Sequence, residues 1–413
     1  MQGDESRLYF HRVMSLFGIK SYGILVICIG MMGVAMSLSF PYLSLYCTGV
    51  IGMTPSEFGI LLAVNSICGV LVNLLVSRKV DGLIDRKYLI MTALVSLSCV
   101  YITYLLFHNY FALLICIGVL AGCGAPAMPQ MFAYARESML VAKSEDRTFA
   151  TSTLRSLFSL GFLLGPLLGT IILGVFGYRG LFIGTSMILI SIFFVVFAYL
   201  RRRSKEEKDT LSVTMHSIIP KAPRPAIRRP FIAFMLLFVC SFAYNLNTPL
   251  FIVHTIHAPQ HDVGLVISLS AGLEIPVMIG LGSLAKKVSN HTLMLFGCII
   301  GMVDFSIIGL SSHIWIIFAA QLLQASYIGI VMGNGLSYFQ DILPGSPGVA
   351  TTIYANAQSI GVLIGNLAGG AMAQYVGYRD VYWLCLPLMA LAFVLFQMSN
   401  RNKIIIQLSS AIN

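Results

Sequence analysis

Charge is what this sequence has least of. Only 10% of its 413 residues are Asp, Glu, Lys or Arg, against roughly 25% in soluble globular domains, which excludes a soluble enzyme. Tryptophan occurs twice, as Trp315 and Trp383, each at the outer start of an apolar run and suited to anchor at a membrane interface. The nine cysteines are scattered singly through apolar stretches without a CxxC pair, so they read as small helix hydrophobes and not as a metal site or disulfide framework. His254, His257 and His261 have metal-like spacing, but Pro259 interrupts them and no cysteine joins, which leaves exposed loop histidines. A Ser/His/Asp set, HExxH and nucleotide loops are all missing, and every hydrophilic stretch is too short to house a catalytic domain. No cofactor is implied.

What the chain has in abundance is apolar residues, 57% of the total with a mean hydropathy of +0.86. They fall into twelve blocks of about 20 residues, each long enough to cross ~30 Å of hydrocarbon as a helix. The expected spans are 22–47, 57–77, 88–107, 111–134, 149–173, 180–200, 231–255, 263–284, 292–311, 314–338, 349–373 and 381–398. The first is too long for a cleaved signal peptide and should stay as a helix. With the N-terminus in the cytoplasm, all but three of the 26 Lys and Arg residues lie on the cytoplasmic side, the exceptions being Arg155, Arg179 and Arg379. The net charge of +10 therefore records topology and not a nucleic-acid partner, and both termini are expected to be cytoplasmic.

Residues 159–179 and 359–379 align without a gap. Ser159, Gly161, Leu163, Gly165, Leu167, Gly169, Gly177, Tyr178 and Arg179 recur 200 positions later. The chain is thus expected to be an all-α membrane protein of two six-helix bundles in parallel orientation, residues 1–200 and 231–413, related by a pseudo-twofold axis. Between them, residues 201–230 are charged and proline-punctuated and read as a cytoplasmic linker, with a short amphipathic helix expected near 211–219. This is the build of secondary transporters that rock one half against the other around a central site.

The loop from Ser77 to Lys87 resembles the cytoplasmic signature of the major facilitator superfamily, an acid followed by a turn and basic residues. A carboxylate at Asp81 suits a helix N-terminus and an arginine of another loop, forming a latch with Arg86, Arg136 and Arg147 that breaks when the inside opens. The plainer alternative is a loop that only sets topology. The matching loop 285–291 has no acid, so a latch is expected in one half only. Gly161, Gly165 and Gly169 admit either close helix packing or a pliant helix around Pro166.

Ionisable groups inside hydrocarbon are the strongest functional pointers, at ~2.5 to 3.5 kcal/mol each on insertion scales. Glu274 lies mid-span beside Pro276, which loosens the helix around it, and it is the first candidate for proton coupling. Asp304 is the second, although a structural acid suits its helix better. Arg155 could meet substrate or simply snorkel. Neutral amides and tyrosines thread the other spans, and an amide pairs a donor with an acceptor as sugar hydroxyls do. Asn65, Gln130, Asn245, Gln324, Asn356, Gln358 and Tyr354, together with Arg155, are the candidate substrate contacts. The competing explanation for each amide is an interhelical hydrogen bond.

Several stretches resemble the bacterial sugar efflux transporter family, a branch of that superfamily. They are Gly333 to Gly345, Ala350 to Asn356, Pro129 to Glu137, Arg155 to Leu160, Gly165-Pro166 and Leu273-Glu274-Ile275-Pro276. The resemblance implies a major facilitator fold and export of small saccharides or glycoside analogues from the cytoplasm, coupled to inward proton movement. The expected setting is a bacterial inner membrane, as a multi-pass monomer whose partners are the sugar, protons and lipid. The rivals are a multidrug/proton antiporter for lipophilic compounds and, more remotely, a membrane receptor or enzyme.

Overall fold

The computed structural model describes residues 22–79, 85–141, 147–200, 224–284, 287–344 and 346–412. Asp81, the loop acid expected to latch, and most of the expected linker, including its short helix, lie outside the described residues, as do the side chains of Arg136 and Arg147. The described residues contain helices and no strand. Their exposed faces are rich in Ile, Leu, Val and Phe, for example Ile67, Leu71, Phe111, Ile171, Phe194 and Ile279. In lipid the backbone must satisfy itself, and the side chains facing outward are as apolar as those facing in.

The helices in chain order are α1 (Tyr22–Leu38), α2 (Phe40–Gly49), α3 (Pro55–Lys79), α4 (Arg86–Leu106), α5 (Tyr110–Gly124), α6 (Ala127–Val141) and α7 (Arg147–Tyr199). They continue with α8 (Arg224–His254), α9 (Gln260–Leu284), α10 (Asn290–Leu310), α11 (Ile314–Ile328), a π-helical turn (Gly329–Gly333), α12 (Asn334–Ile342), α13 (Pro347–Tyr375) and α14 (Asp380–Ile412). Several start on a side-chain cap. Asp85 accepts from the Lys87 N–H at the head of α4, Asn109 from Phe111 and Ala112 at α5, and Ser289 from Thr292 at α10.

Ten helical stretches among the described residues are long and apolar enough to cross a membrane. One of them, Thr153–Tyr199, is two helices joined at Gly177 (φ 63°), and α13 adds a further 29-residue helix, which is consistent with the twelve expected spans. The two copies of the Gly-Tyr-Arg repeat occupy equivalent corners. Gly177 turns the chain within α7, and Gly377, with φ 103°, turns it between α13 and α14. Both need the left-handed backbone that glycine alone adopts without strain.

By their contacts the helices form two compact units, Met1–Phe40 with Ile67–Ser217, and Pro41–Ser66 with Ile218–Asn413. In the first unit α1 runs along α7. Gly161 lies against the Gly30 carbonyl and 2.9 Å, measured from the position of an added Cβ, from the Val34 nitrogen, while Gly33 lies against the Phe158 carbonyl. Tyr22, Leu25, Ile29 and Met32 of α1 share this unit's core with Ile90, Leu94, Met131, Leu189 and Ile192.

In the second unit α8 runs along α13 in the same way. Cβ atoms added at Gly365 and Gly369 would meet the Val239 carbonyl at 2.7 Å and Ala243 Cα at 2.8 Å. The repeated glycines therefore serve close helix packing in both units. The N-terminal part of α3 joins the second unit, where Ser56 N donates to Gln374 at 3.3 Å and Gly370 lies against the Pro55 carbonyl.

Candidate functional site

Glu274 sits in the middle of α9, partly buried, and its carboxylate meets no donor or counter-charge among the described residues. Two positions on, Pro276 has no N–H, so the Gly272 carbonyl one turn back loses its helical donor. Just past Pro276, α9 packs on the π-helical turn. A Cβ added at Gly329 would touch Val277 at 3.2 Å and Leu281 at 3.4 Å, and one at Gly333 would meet Met278 at 3.9 Å.

A π turn leaves backbone carbonyls imperfectly paired, and such turns concentrate at functional positions. Here α13 attends to them. The Tyr354 hydroxyl donates to the Met332 carbonyl at 3.3 Å and lies 3.5 Å from that of Val331. One widened turn, the α9 segment just after Pro276 and one tyrosine thus meet within the second unit, and Glu274 lies about one helical turn before that segment.

Further toward α10 lies a buried polar cluster. Gln321 Nε2 donates to the Tyr244 hydroxyl at 3.4 Å and to the Ile317 carbonyl at 3.0 Å. The Tyr382 and Thr248 hydroxyls pair at 3.0 Å, and Tyr327 donates to the Leu237 carbonyl at 2.8 Å. Asp304 is fully buried among these groups.

The first unit has its own charged focus. Arg86 Nε donates to Glu137 Oε1 at 2.6 Å, and its Nη1 donates to Gln130 Oε1 at 2.5 Å. Both ions are largely withdrawn from solvent, so removing Arg86 takes a charge-assisted hydrogen bond from the desolvated Glu137 carboxylate. Arg86→Ala is expected to destabilise the first unit by about 2 to 3 kcal/mol. Thermal unfolding in detergent checks this, and Arg86→Ala combined with Glu137→Ala should recover much of the loss.

A model of the Major Facilitator Superfamily matches residues 25–365. Over most of its length the chain is also similar to "Sugar efflux transporter B" of Salmonella typhimurium, at 31% identity across 90% of this chain and 93% of that one. The chain belongs to the sugar efflux transporter family of the Major Facilitator Superfamily. A second relative, "Sugar efflux transporter A" of Escherichia coli, is 30% identical across 88% of this chain and 92% of its own. The crystal structure of the nucleoside transporter NupG superimposes with a TM-score of 0.77 over 92% of this chain and 98% of that one, at 10% identity, a likeness of fold. The protein is accordingly a multi-pass membrane transporter and not an enzyme.

The expected site residues divide between the units of this transporter. Gln130 and Arg155 belong to the first, and Asn65, Asn245, Glu274, Asp304, Gln324, Tyr354, Asn356 and Gln358 to the second. Gln130 is buried and its oxygen is taken by Arg86, whereas Arg155 and Asn356 are exposed. Asn65, Asn245 and Gln358 are partly buried, and Gln324 is buried. Tyr354 holds the π turn as described. The pairing of Arg86 with Glu137 and Gln130 is not part of the sequence reading. Its signal is the seven-residue spacing of Gln130 and Glu137, two turns along one helix face.

Proposed function

We propose that this transporter exports small sugars or glycoside analogues across a bacterial inner membrane by alternating access, in exchange for protons. In this reading it acts as a monomer with both termini in the cytoplasm. The sugar assignment is supported by relatives named as sugar efflux transporters that match nine-tenths of the chain. The proton assignment is supported by Glu274, a partly buried carboxyl with no partner among the described residues, two positions before the helix proline Pro276. Such an acid is free to trade its proton as the helices around it flex. Asn65, Asn245, Gln324, Asn356, Gln358 and Tyr354, with Gln130 and Arg155, are the proposed sugar contacts, their amides and hydroxyls matching paired sugar hydroxyls. Asp81, Arg86, Arg136 and Arg147 are the proposed cytoplasmic latch, which Arg86 enters already bound to Glu137.

The test is reconstitution in lipid vesicles with an imposed pH gradient and a panel of labelled mono- and disaccharides, glycoside analogues and lipophilic cationic dyes. Gradient-stimulated movement of a saccharide, with the dyes unaffected, is the expected result. Dye movement with indifference to every saccharide would replace this reading with a drug/proton antiporter.

A further inference from the structure

Asp304 is 0% exposed, and neither of its carboxyl oxygens meets a donor among the described residues. Its neighbours' hydroxyls make no hydrogen bond to either oxygen. Tyr244 and Tyr382 are close enough to interact with its charge, yet Tyr382 pairs with Thr248, and Tyr244 receives a hydrogen from Gln321. Tyr327 and the thiols of Cys240, Cys298 and Cys385 lie together nearby, and Tyr327 donates to Leu237. These are the titratable groups that α8, α10, α11 and α14 present around it, and none is a cation. An ionised carboxylate here would be a buried charge with neither a counter-ion nor a hydrogen bond, an arrangement folded proteins avoid.

The register of α10 against α11 shows what stands opposite. Cβ atoms added at Gly297 and Gly301 would meet Ile330 at 2.8 Å and Tyr327 at 2.9 Å. Continuing that antiparallel register by one turn sets Asp304 at the level of Gln324. Gln324 is 3% exposed, and its side-chain oxygen also has no donor among the described residues. Two buried acceptors at one level lack the same thing, a hydrogen.

We infer that Asp304 holds a resident proton and donates it to the side-chain oxygen of Gln324, forming a neutral proton site that ties α10 to α11. A proton fits where a metal ion does not, because a hard cation needs about six or more oxygen ligands and this level is lined largely by rings. The site is separate from Glu274. Its proton stays in place while that of Glu274 exchanges.

Infrared spectroscopy of the full-length protein in vesicles, between about pH 5 and pH 9, tests the inference. The expected result is the carbonyl stretch of a protonated carboxylic acid that persists across the range, disappears in Asp304→Asn and shifts in Gln324→Leu. Asparagine supplies its own N–H donors, so Asp304→Asn is expected to keep wild-type thermal stability. Should that variant fail to fold, the shift in Gln324→Leu still assigns the band. A carboxylate band that titrates within the range, an unshifted band in Gln324→Leu, or a folded Asp304→Asn whose transport ignores pH would each overturn the inference.

Discussion

In a Glu274→Gln variant of the proposed exchanger, sugar is expected to equilibrate across the membrane but not to accumulate against its gradient. Glutamine keeps the length of the side chain and a carbonyl oxygen, and it removes only the exchangeable proton. If one proton enters for each sugar exported, 100 mV contributes ~2.3 kcal/mol, enough for about a fifty-fold concentration ratio. Without that exchange the ratio falls to about one. Inside-out vesicles with an acidic lumen read this directly, because protons leaving the lumen drive sugar in. The neighbouring Pro276 and the π turn are intact in the variant, so downhill exchange should persist. Equal accumulation by variant and wild type would remove Glu274 from the mechanism.

Gly161→Leu is expected to prevent the first unit from assembling. The clash is with backbone, the Gly30 carbonyl and the Val34 nitrogen, and not with a side chain that can turn aside. Core overpacking commonly costs about 1 to 3 kcal/mol, and the cost here exceeds it because separating α1 from α7 forfeits the packing along both. Yield of monodisperse protein and thermal unfolding in detergent report the loss. Gly174→Ala is the matched control, since nothing lies within 4 Å of a Cβ added there. A Gly161→Leu protein as stable as wild type would show that the two helices do not need their close approach.

The spans are legible in the sequence because lipid imposes a length and a composition on every crossing helix. The 159–179 repeat is legible as packing for a related reason, since only small residues allow two backbones to meet. Interruptions inside an apolar run are harder to read. Ser39 separates α1 from α2, the turn at Ala125-Pro126 separates α5 from α6, and Gly329–Gly333 widens into a π turn, all within stretches whose composition does not change. Gln130 shows the other gap. Its amide reads equally well as a sugar contact or a structural ligand, and its arginine partner comes from 44 residues earlier, a pairing set by tertiary register.

An extra residue in one turn changes the phase of everything after it. From Asn334 onward each side chain is swung by roughly 100° from where an unbroken α-helix would aim it. Tyr338 and Phe339 reach the Phe234 ring, with centroids 5.7 and 5.0 Å away, in this rotated setting. Were the wide turn to tighten, the C-terminal segment after it would revolve like a key in a lock, presenting a different row of residues while the segment before it stood still.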